Sequence, residues 1–195
     1  VKVRENLRVK IPEDLLNVKL FNATVKSTTE MTSNIKEIRF SLIEPAEIFS
    51  RVGQYIQIQA PSPDGPIFRA YSISSAVYET NEVELVVRLI PGGIGSTYLH
   101  NLEVGDPVEF TGPYGDFIFD EDPETELICV GGGAGMAPMK NIIKSMYKEQ
   151  PDRTCWLFFG CRAKEDVFYI EMYEELAKKH RNFHVVYGLS EPQPE

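Results

Sequence analysis

Residues 131–138 read Gly131-Gly132-Gly133-Ala134-Gly135-Met136-Ala137-Pro138, a glycine cluster set between a continuous apolar run and an amphipathic segment. Glycines there let the backbone turn tightly and let a pyrophosphate approach the N–H groups that open a helix, where the helix dipole favours negative charge. Pro138 suits a first helical turn, since its missing donor would have had no partner there. The spacing departs from GxGxxG, so the ordinary dinucleotide fingerprint is not met, and a tight strand-to-helix turn without a ligand is the plain alternative.

A second group, Arg69-Ala70-Tyr71-Ser72-Ile73-Ser74, lies on a strand-like segment that puts Arg69, Tyr71 and Ile73 on one side and Ala70, Ser72 and Ser74 on the other. Arg pairs bidentately with phosphate, a Tyr ring stacks on a flat heterocycle, and a Ser hydroxyl bonds a ring nitrogen. Taken alone, the segment is equally a plain strand with a half-exposed tyrosine. A third group, Pro91-Gly92-Gly93-Ile94-Gly95-Ser96-Thr97-Tyr98-Leu99, follows a strand ending at Arg88; Ser96 reads as the N-cap of a short helix running to Leu102, a second backbone anion site. A glycine-rich hairpin with a capped turn is its plain alternative. Two phosphate-type sites in two separate units support each other.

The remaining reactive side chains read as structural. His100, His180 and His184 are scattered without carboxylate or cysteine partners at ligand spacing, so no metal is assigned. Met136, Met139 and Met146 fall on or beside an apolar helix face and read as core fillers. Cys129, Cys155 and Cys161 form no CxxC pair and read as reduced thiols, with Cys161 a small buried residue near the place of an adenosine ribose. Arg162 and Lys164 are cations positioned to read a 2′-phosphate, but the adjacent Glu165 and Asp166 oppose that, which favours NADH over NADPH.

Two hydrophobic periods show how these groups are held. Up to about residue 122 the apolar residues alternate: Ile38, Phe40 and Leu42; Ile56, Ile58 and Ala60; Val83, Leu85, Val87 and Leu89. With segments 22–27, 68–74 and 108–111 this gives six short strands, an antiparallel six-stranded β-barrel over 19–122 preceded by a linker at 1–18. After the acidic stretch Asp120-Glu121-Asp122-Pro123-Glu124, buried runs (Leu127 to Val130, Trp156 to Phe159, Phe183 to Tyr187) alternate with helical patterns. In the first helix Met139, Ile142, Ile143, Met146 and Tyr147 face inward and Lys140, Lys144 and Lys148 outward; Ile170, Tyr173, Leu176 and Ala177 mark the second. That βαβαβ order predicts a parallel sheet with helices packed on it, a partial α/β nucleotide-binding domain over 123–195 that looks cut short.

Composition narrows the function. Lys and Arg number 20 against 29 Asp and Glu, a formal charge of −9 that repels nucleic acid and anionic lipid. No apolar run approaches the roughly 20 residues that span a bilayer, and the N-terminus lacks the apolar core of a secretion signal. The expected setting is the cytoplasmic side, with any inner-membrane association made through segments outside this chain.

Together these residues resemble the ferredoxin–NADP reductase superfamily. The resemblance covers the chain from about Leu20 and rests on the Arg-x-Tyr-Ser strand, the Gly-Gly-x-x-Ser turn before a short helix, the hinge Gly112-Pro113-Tyr114-Gly115-Asp116-Phe117, and the glycine turn closing with Ala-Pro. Within it, the glycine turn and the leader from Val1 to Glu13 are most similar to the flavin subunits of sodium-translocating NADH:quinone oxidoreductases.

The resemblance implies an FAD on the barrel, with Arg69 on its pyrophosphate, Tyr71 stacked on the isoalloxazine and Ser72 at its N5 region, Tyr71 and Ser72 being the catalytic pair. Val87, Arg88, Gly95, Ser96 and Thr97 would hold the ribityl–diphosphate end, and Gly132, Gly133, Gly135, Ala137 and Pro138 would line the nicotinamide-nucleotide cleft. Many relatives carry Thr at the place of Ala134, so a hydroxyl contact is missing. The implied activity is electron transfer from NADH through FAD to a one-electron acceptor such as a [2Fe–2S] centre, that cluster belonging to an iron–sulfur domain or protein outside this chain, with membrane quinone oxidoreductase subunits as further partners. Two readings stay open beside it: a flavin-binding relay module without efficient NADH turnover, and the electron-transfer subunit of a dihydroorotate dehydrogenase. A colourless nucleotide sensor is a third.

Overall fold

The computed structural model describes residues 16–117 and 122–192. Most of the expected leader and the start of the acidic stretch, Asp120 and Glu121, lie outside the described residues.

The first unit comprises strands β1 (Lys19–Thr32), β2 (Ile35–Glu44), β3 (Tyr55–Ala60), β4 (Ile67–Ser72) and β5 (Glu82–Arg88), helix α1 (Ile94–His100), and strand β6 (Pro107–Tyr114). The strands form one antiparallel sheet in the order β4-β3-β6-β1-β2-β5. Their alternating apolar residues converge on one core of Phe21, Val25, Ile38, Phe40, Ile56, Ile58, Val83, Leu85, Val87 and Phe110, with Leu99 of α1 closing the end. Burying each such side chain is worth about 1.5–3 kcal/mol. Register shifts along β1 bend the longest strand, and the sheet curls until its edges meet: the Ser74 N–H, just past β4, donates to the Glu84 carbonyl on β5 at 2.8 Å.

The second unit runs β7 (Leu127–Gly132), a 3₁₀ turn (Gly133–Gly135), α2 (Met136–Glu149), β8 (Cys155–Cys161), α3 (Ile170–Lys179) and β9 (Phe183–Leu189), with a parallel sheet ordered β7-β8-β9. Successive crossovers of one hand, in a sheet that grows in one direction, put both helices on one face. That face buries Cys129, Leu157 and Phe159 against Met139, Ile143, Met146 and Tyr173. The runs expected to be wholly buried are therefore buried on one side only. Val130 is 69% exposed, and Ile128, Phe158 and Val186 stand open beside it.

Two further expectations are corrected by the way the units meet. Strand β5 is not half-buried, since residues 82–87 are all buried. Its outer residue Val86 and Ile35 of β2 join the core of the second unit, so α2 covers what alternation assigned to solvent. Lys140 and Lys144 correspondingly face the barrel and not water, Lys140 being 4% exposed. No helix among the described residues is long and apolar enough to cross a membrane.

Candidate functional site

The site is built on the edge strand β4, of which no residue from Ile67 to Ser72 is buried. An interior strand that read this way would be unstable; an edge strand open on both faces is a surface awaiting cover. Arg69 and Tyr71 project together onto α1. A Cβ on Gly95 would sit 2.8 Å from Arg69 Cγ and 3.0 Å from the Tyr71 hydroxyl, so the absent side chain is what lets both residues lie against the helix. Gly95 is itself buried beneath them, which makes it the floor under the arginine and tyrosine. Ser72 lies on the opposite pleat of the same strand, half-buried across from Tyr55.

The neighbouring turn differs from its expected form. Helix α1 starts at Ile94 with Gly93 as its N-cap and no side-chain cap bond, so Ser96 is inside the helix and does not cap it. The Ser96 hydroxyl instead ties the turn together, accepting from the Ile90 N–H at 3.0 Å and donating to the Gly93 carbonyl at 3.2 Å. Thr97 is exposed, its N–H bonded to the Gly93 carbonyl at 2.9 Å. Val87 points into the barrel core, 1% exposed, and its carbonyl pairs with His100 Nε2 at 3.0 Å, so only Arg88 of that pair offers a side chain outward.

In the glycine turn, Gly133 holds φ of +53°, a left-handed conformation that favours glycine, and a Cβ on Gly132 would stand 2.5 Å from the Gly160 carbonyl oxygen. These two residues let β7 end against β8 and reverse into α2. Gly132 and Gly135 are exposed, Pro138 is half-buried in the first turn of α2, and Ala137 is buried and can meet a ligand only through its backbone. Cys161 is half-buried, not buried as expected, with its thiol against the Asp166 carbonyl at 3.4 Å. Arg162 is held by both carboxylate oxygens of Glu191, at 3.2 and 3.1 Å.

The structure sets the glycine turn of the second unit against the barrel beside Arg88. Arg88 pairs with Ile35 across β5 and β2, and Ile35 Cδ1 lies 3.8 Å from where a Gly133 Cβ would be. The Gly133 turn thus stands beside Ile35 and its register partner Arg88, while Arg69 and Tyr71 lie on Gly95 of α1. Neither Arg69 nor Arg88 forms an ion pair among the described residues, although the chain carries a charge of −9. Burial raises the Tyr71 hydroxyl pKa against the opposing pull of Arg69, so this ring stays neutral at physiological pH. Phe68, Ile90 and Ile94 are exposed apolar side chains in the same two segments. Guanidinium groups without a carboxylate partner among the described residues, Arg69 giving one N–H to the Phe68 carbonyl at 2.9 Å, together with a neutral aromatic ring and open apolar residues, suit a ligand that is both a pyrophosphate and a flat heterocycle, so the residues fit FAD.

Sequence reasoning missed Ile35, Glu191 and Tyr169. Ile35 follows the alternation of β2 and gave no hint that it spans the two units. Tyr169, at φ 61° and ψ 23°, is the one non-glycine residue with positive φ among those described, a property of the backbone that its residue type does not announce.

Residues 22–119 match the oxidoreductase FAD-binding domain family, and residues 129–195 match the oxidoreductase NAD-binding domain family. The whole chain is 31% identical to the F subunit of the Na(+)-translocating NADH-quinone reductase of Idiomarina loihiensis and 32% to that of Neisseria meningitidis, and spans 57% and 58% of their lengths. The corresponding protein of Moritella marina is 30% identical, with 77% of its length spanned. Among solved structures, the Amycolatopsis cytochrome P450 reductase GcoB superposes with a TM-score of 0.83 at 29% identity, covering 91% of this chain and 54% of that one. The cytochrome b5 reductase domain of Ulva prolifera nitrate reductase superposes with a TM-score of 0.74 at 26% identity, covering 90% and 75%.

Proposed function

The chain belongs to the family of oxidoreductases that join an FAD-binding domain to an NAD-binding domain, and from that premise we propose that it passes electrons from NADH to an iron–sulfur acceptor as the flavin module of a membrane NADH:quinone oxidoreductase. Its FAD-binding domain is 19–122 and its nucleotide-binding domain begins at 123. Bound FAD supplies the chemistry, accepting a hydride as an electron pair and releasing electrons singly.

The chain's own residues bind and orient. Arg69 and Arg88 neutralise the FAD pyrophosphate, Tyr71 stacks on the flat ring, and the Ser72 hydroxyl donates to a ring nitrogen. Gly132, Gly133 and Gly135 bring the backbone close to the pyrophosphate of NADH, and Pro138 lies in the first turn of the helix behind it. Glu191 occupies Arg162, the guanidinium that a 2′-phosphate would need, and this supports NADH over NADPH. No acid–base pair is required, because positioning does the work.

The observation that carries this reading is the seating of Arg69 and Tyr71 on Gly95, together with the approach of the Gly133 turn to Ile35, the register partner of Arg88. Its test is the visible spectrum of the purified protein before and after anaerobic NADH. A flavin spectrum that bleaches on NADH addition is expected, and a colourless protein with no extractable FAD would sink the proposal. Ser72→Ala should then slow flavin reduction by about tenfold or more with FAD still bound. A second reading is an FAD-binding electron relay that turns NADH over slowly. A yellow protein that stays oxidised under anaerobic NADH decides for the relay.

A further inference from the structure

Helix α2 reaches the barrel through polar contacts that the cofactor reading leaves unused. Lys140 donates to Glu84 Oε1 at 2.6 Å and to Glu37 Oε2 at 3.1 Å, and the second oxygen of the fully buried Glu84 takes Arg39. Arg39 and Lys26 share Glu82, the latter at 2.6 Å. The Tyr169 hydroxyl donates to the same Glu37 oxygen while the Lys140 ammonium stands 4.1 Å from its ring centroid. Around this cluster, the Asn141 carbonyl oxygen accepts from the Gly53 N–H at 2.9 Å, its amide donates to the Ser75 carbonyl, and the Ser145 hydroxyl accepts from the Val77 N–H at 3.1 Å.

Three cations (Lys26, Arg39 and Lys140) meet three carboxylates (Glu37, Glu82 and Glu84), so the cluster is neutral. A buried ion cluster is a poor way to add stability, because desolvation takes back most of the attraction; apolar residues of the same volume often do as well. What ion pairs supply and apolar contacts do not is direction. The Ile35 and Val86 contacts with the second core tolerate sliding, whereas a lysine shared between two fixed carboxylates tolerates little. The cluster also contacts Tyr169, whose left-handed backbone conformation is strained for a non-glycine residue, and such strain persists where the surroundings demand a specific geometry.

We infer that Lys140, with Glu84, Glu37 and Tyr169, is a positioning set that fixes the glycine turn at its station beside Ile35 and Arg88, and thereby sets where the nicotinamide lies over the flavin. The inference rests on the reading of the two turns as nucleotide and FAD sites. Lys140 lies only five residues after Gly135, about one and a half helical turns along α2, so freeing it lets the turn move as a body with α2.

The test uses Lys140→Met, which keeps the apolar stem and removes the ammonium, with Lys140→Arg as the conservative variant. Four quantities are read: FAD affinity, the limiting rate of flavin reduction, its half-saturating NADH concentration, and hydrogen exchange of the Gly53 and Val77 amides in the cofactor-free protein. Lys140→Met should lower the limiting rate by about tenfold or more, leave FAD affinity and half-saturation within about threefold, and speed exchange at both amides. Lys140→Arg should restore most of the rate and the protection. A folded Lys140→Met with an unchanged limiting rate overturns the inference, whether or not exchange accelerates. Should Lys140→Met fail to fold, Tyr169→Phe decides, since it deletes one hydroxyl bond: a slower limiting rate at unchanged FAD affinity supports positioning, and an unchanged rate refutes it. Wild-type protein that binds no FAD fails the functional proposal itself, whereas wild type that is reduced normally beside unaffected variants fails this inference alone.

Discussion

Gly95→Ala separates the cofactor seat from the fold. Its backbone is helical and needs no positive φ, so the new methyl meets no conformational strain, and replacing glycine by alanine in a helix is worth about 0.5–1 kcal/mol in favour of the variant. What the methyl does meet is Arg69 Cγ at 2.8 Å and the Tyr71 hydroxyl at 3.0 Å, against an ordinary carbon contact of about 3.5–4.0 Å. Arg69 must withdraw by roughly 1 Å and Tyr71 by somewhat less. Both are side chains with solvent to move into, so the melting temperature should hold or rise slightly. The displaced guanidinium loses its hydrogen bond to the pyrophosphate, about 1.5–3 kcal/mol for a charged partner, which is about 10- to 100-fold in FAD affinity. The assay is titration of cofactor-free protein with FAD, followed by quenching of flavin fluorescence, with a thermal melt of the same samples. Gly135→Ala is the control, because a Cβ there meets nothing within 4 Å. Unchanged FAD affinity in a normally melting Gly95→Ala protein would refute the claim that Arg69 and Tyr71 are seated on Gly95 to hold the cofactor.

Gly132→Ala should behave in the opposite way, since its Cβ would stand 2.5 Å from the Gly160 backbone oxygen, which cannot move without parting β7 from β8; chemical denaturation should show a loss of about 2 kcal/mol or more. Glu191→Gln should raise NADPH binding relative to NADH about two- to fivefold by freeing the exposed Arg162, as read from equilibrium binding of both nucleotides, and an unchanged ratio would remove Glu191 from the discrimination. Burial pushes the Tyr147, Tyr169 and Tyr173 hydroxyls well above their ordinary value. These three hydroxyls are protonated in native and unfolded chains alike below about pH 10, and above it only the unfolded chain ionises them readily, so the stability they contribute should be lost as pH rises past that point. Phenolate absorbance from these residues should appear together with the loss of ellipticity and not before it.

Much of this protein was fixed by local pattern. The period of two in β2, β3 and β5, the strand–glycine–helix order from Leu127 to Glu149, and the Arg69 to Ser74 and Pro91 to Leu99 segments are each short enough for residue type and spacing to dictate the backbone. The resemblance joined those segments to FAD and NADH. What no local pattern contained was the meeting of the two units. Lys140 and Lys144 look solvated along one helix because the carboxylates that claim Lys140, Glu37 and Glu84, stand 103 and 56 residues away in the chain. Val86 looks exposed because alternation describes one sheet and says nothing of the helix laid on its back. Ser96 looks like a cap until the turn draws its hydroxyl inward. Long-range packing decided these features, since burial and ion pairing depend on which surfaces touch, and a sequence read along its length does not say which will.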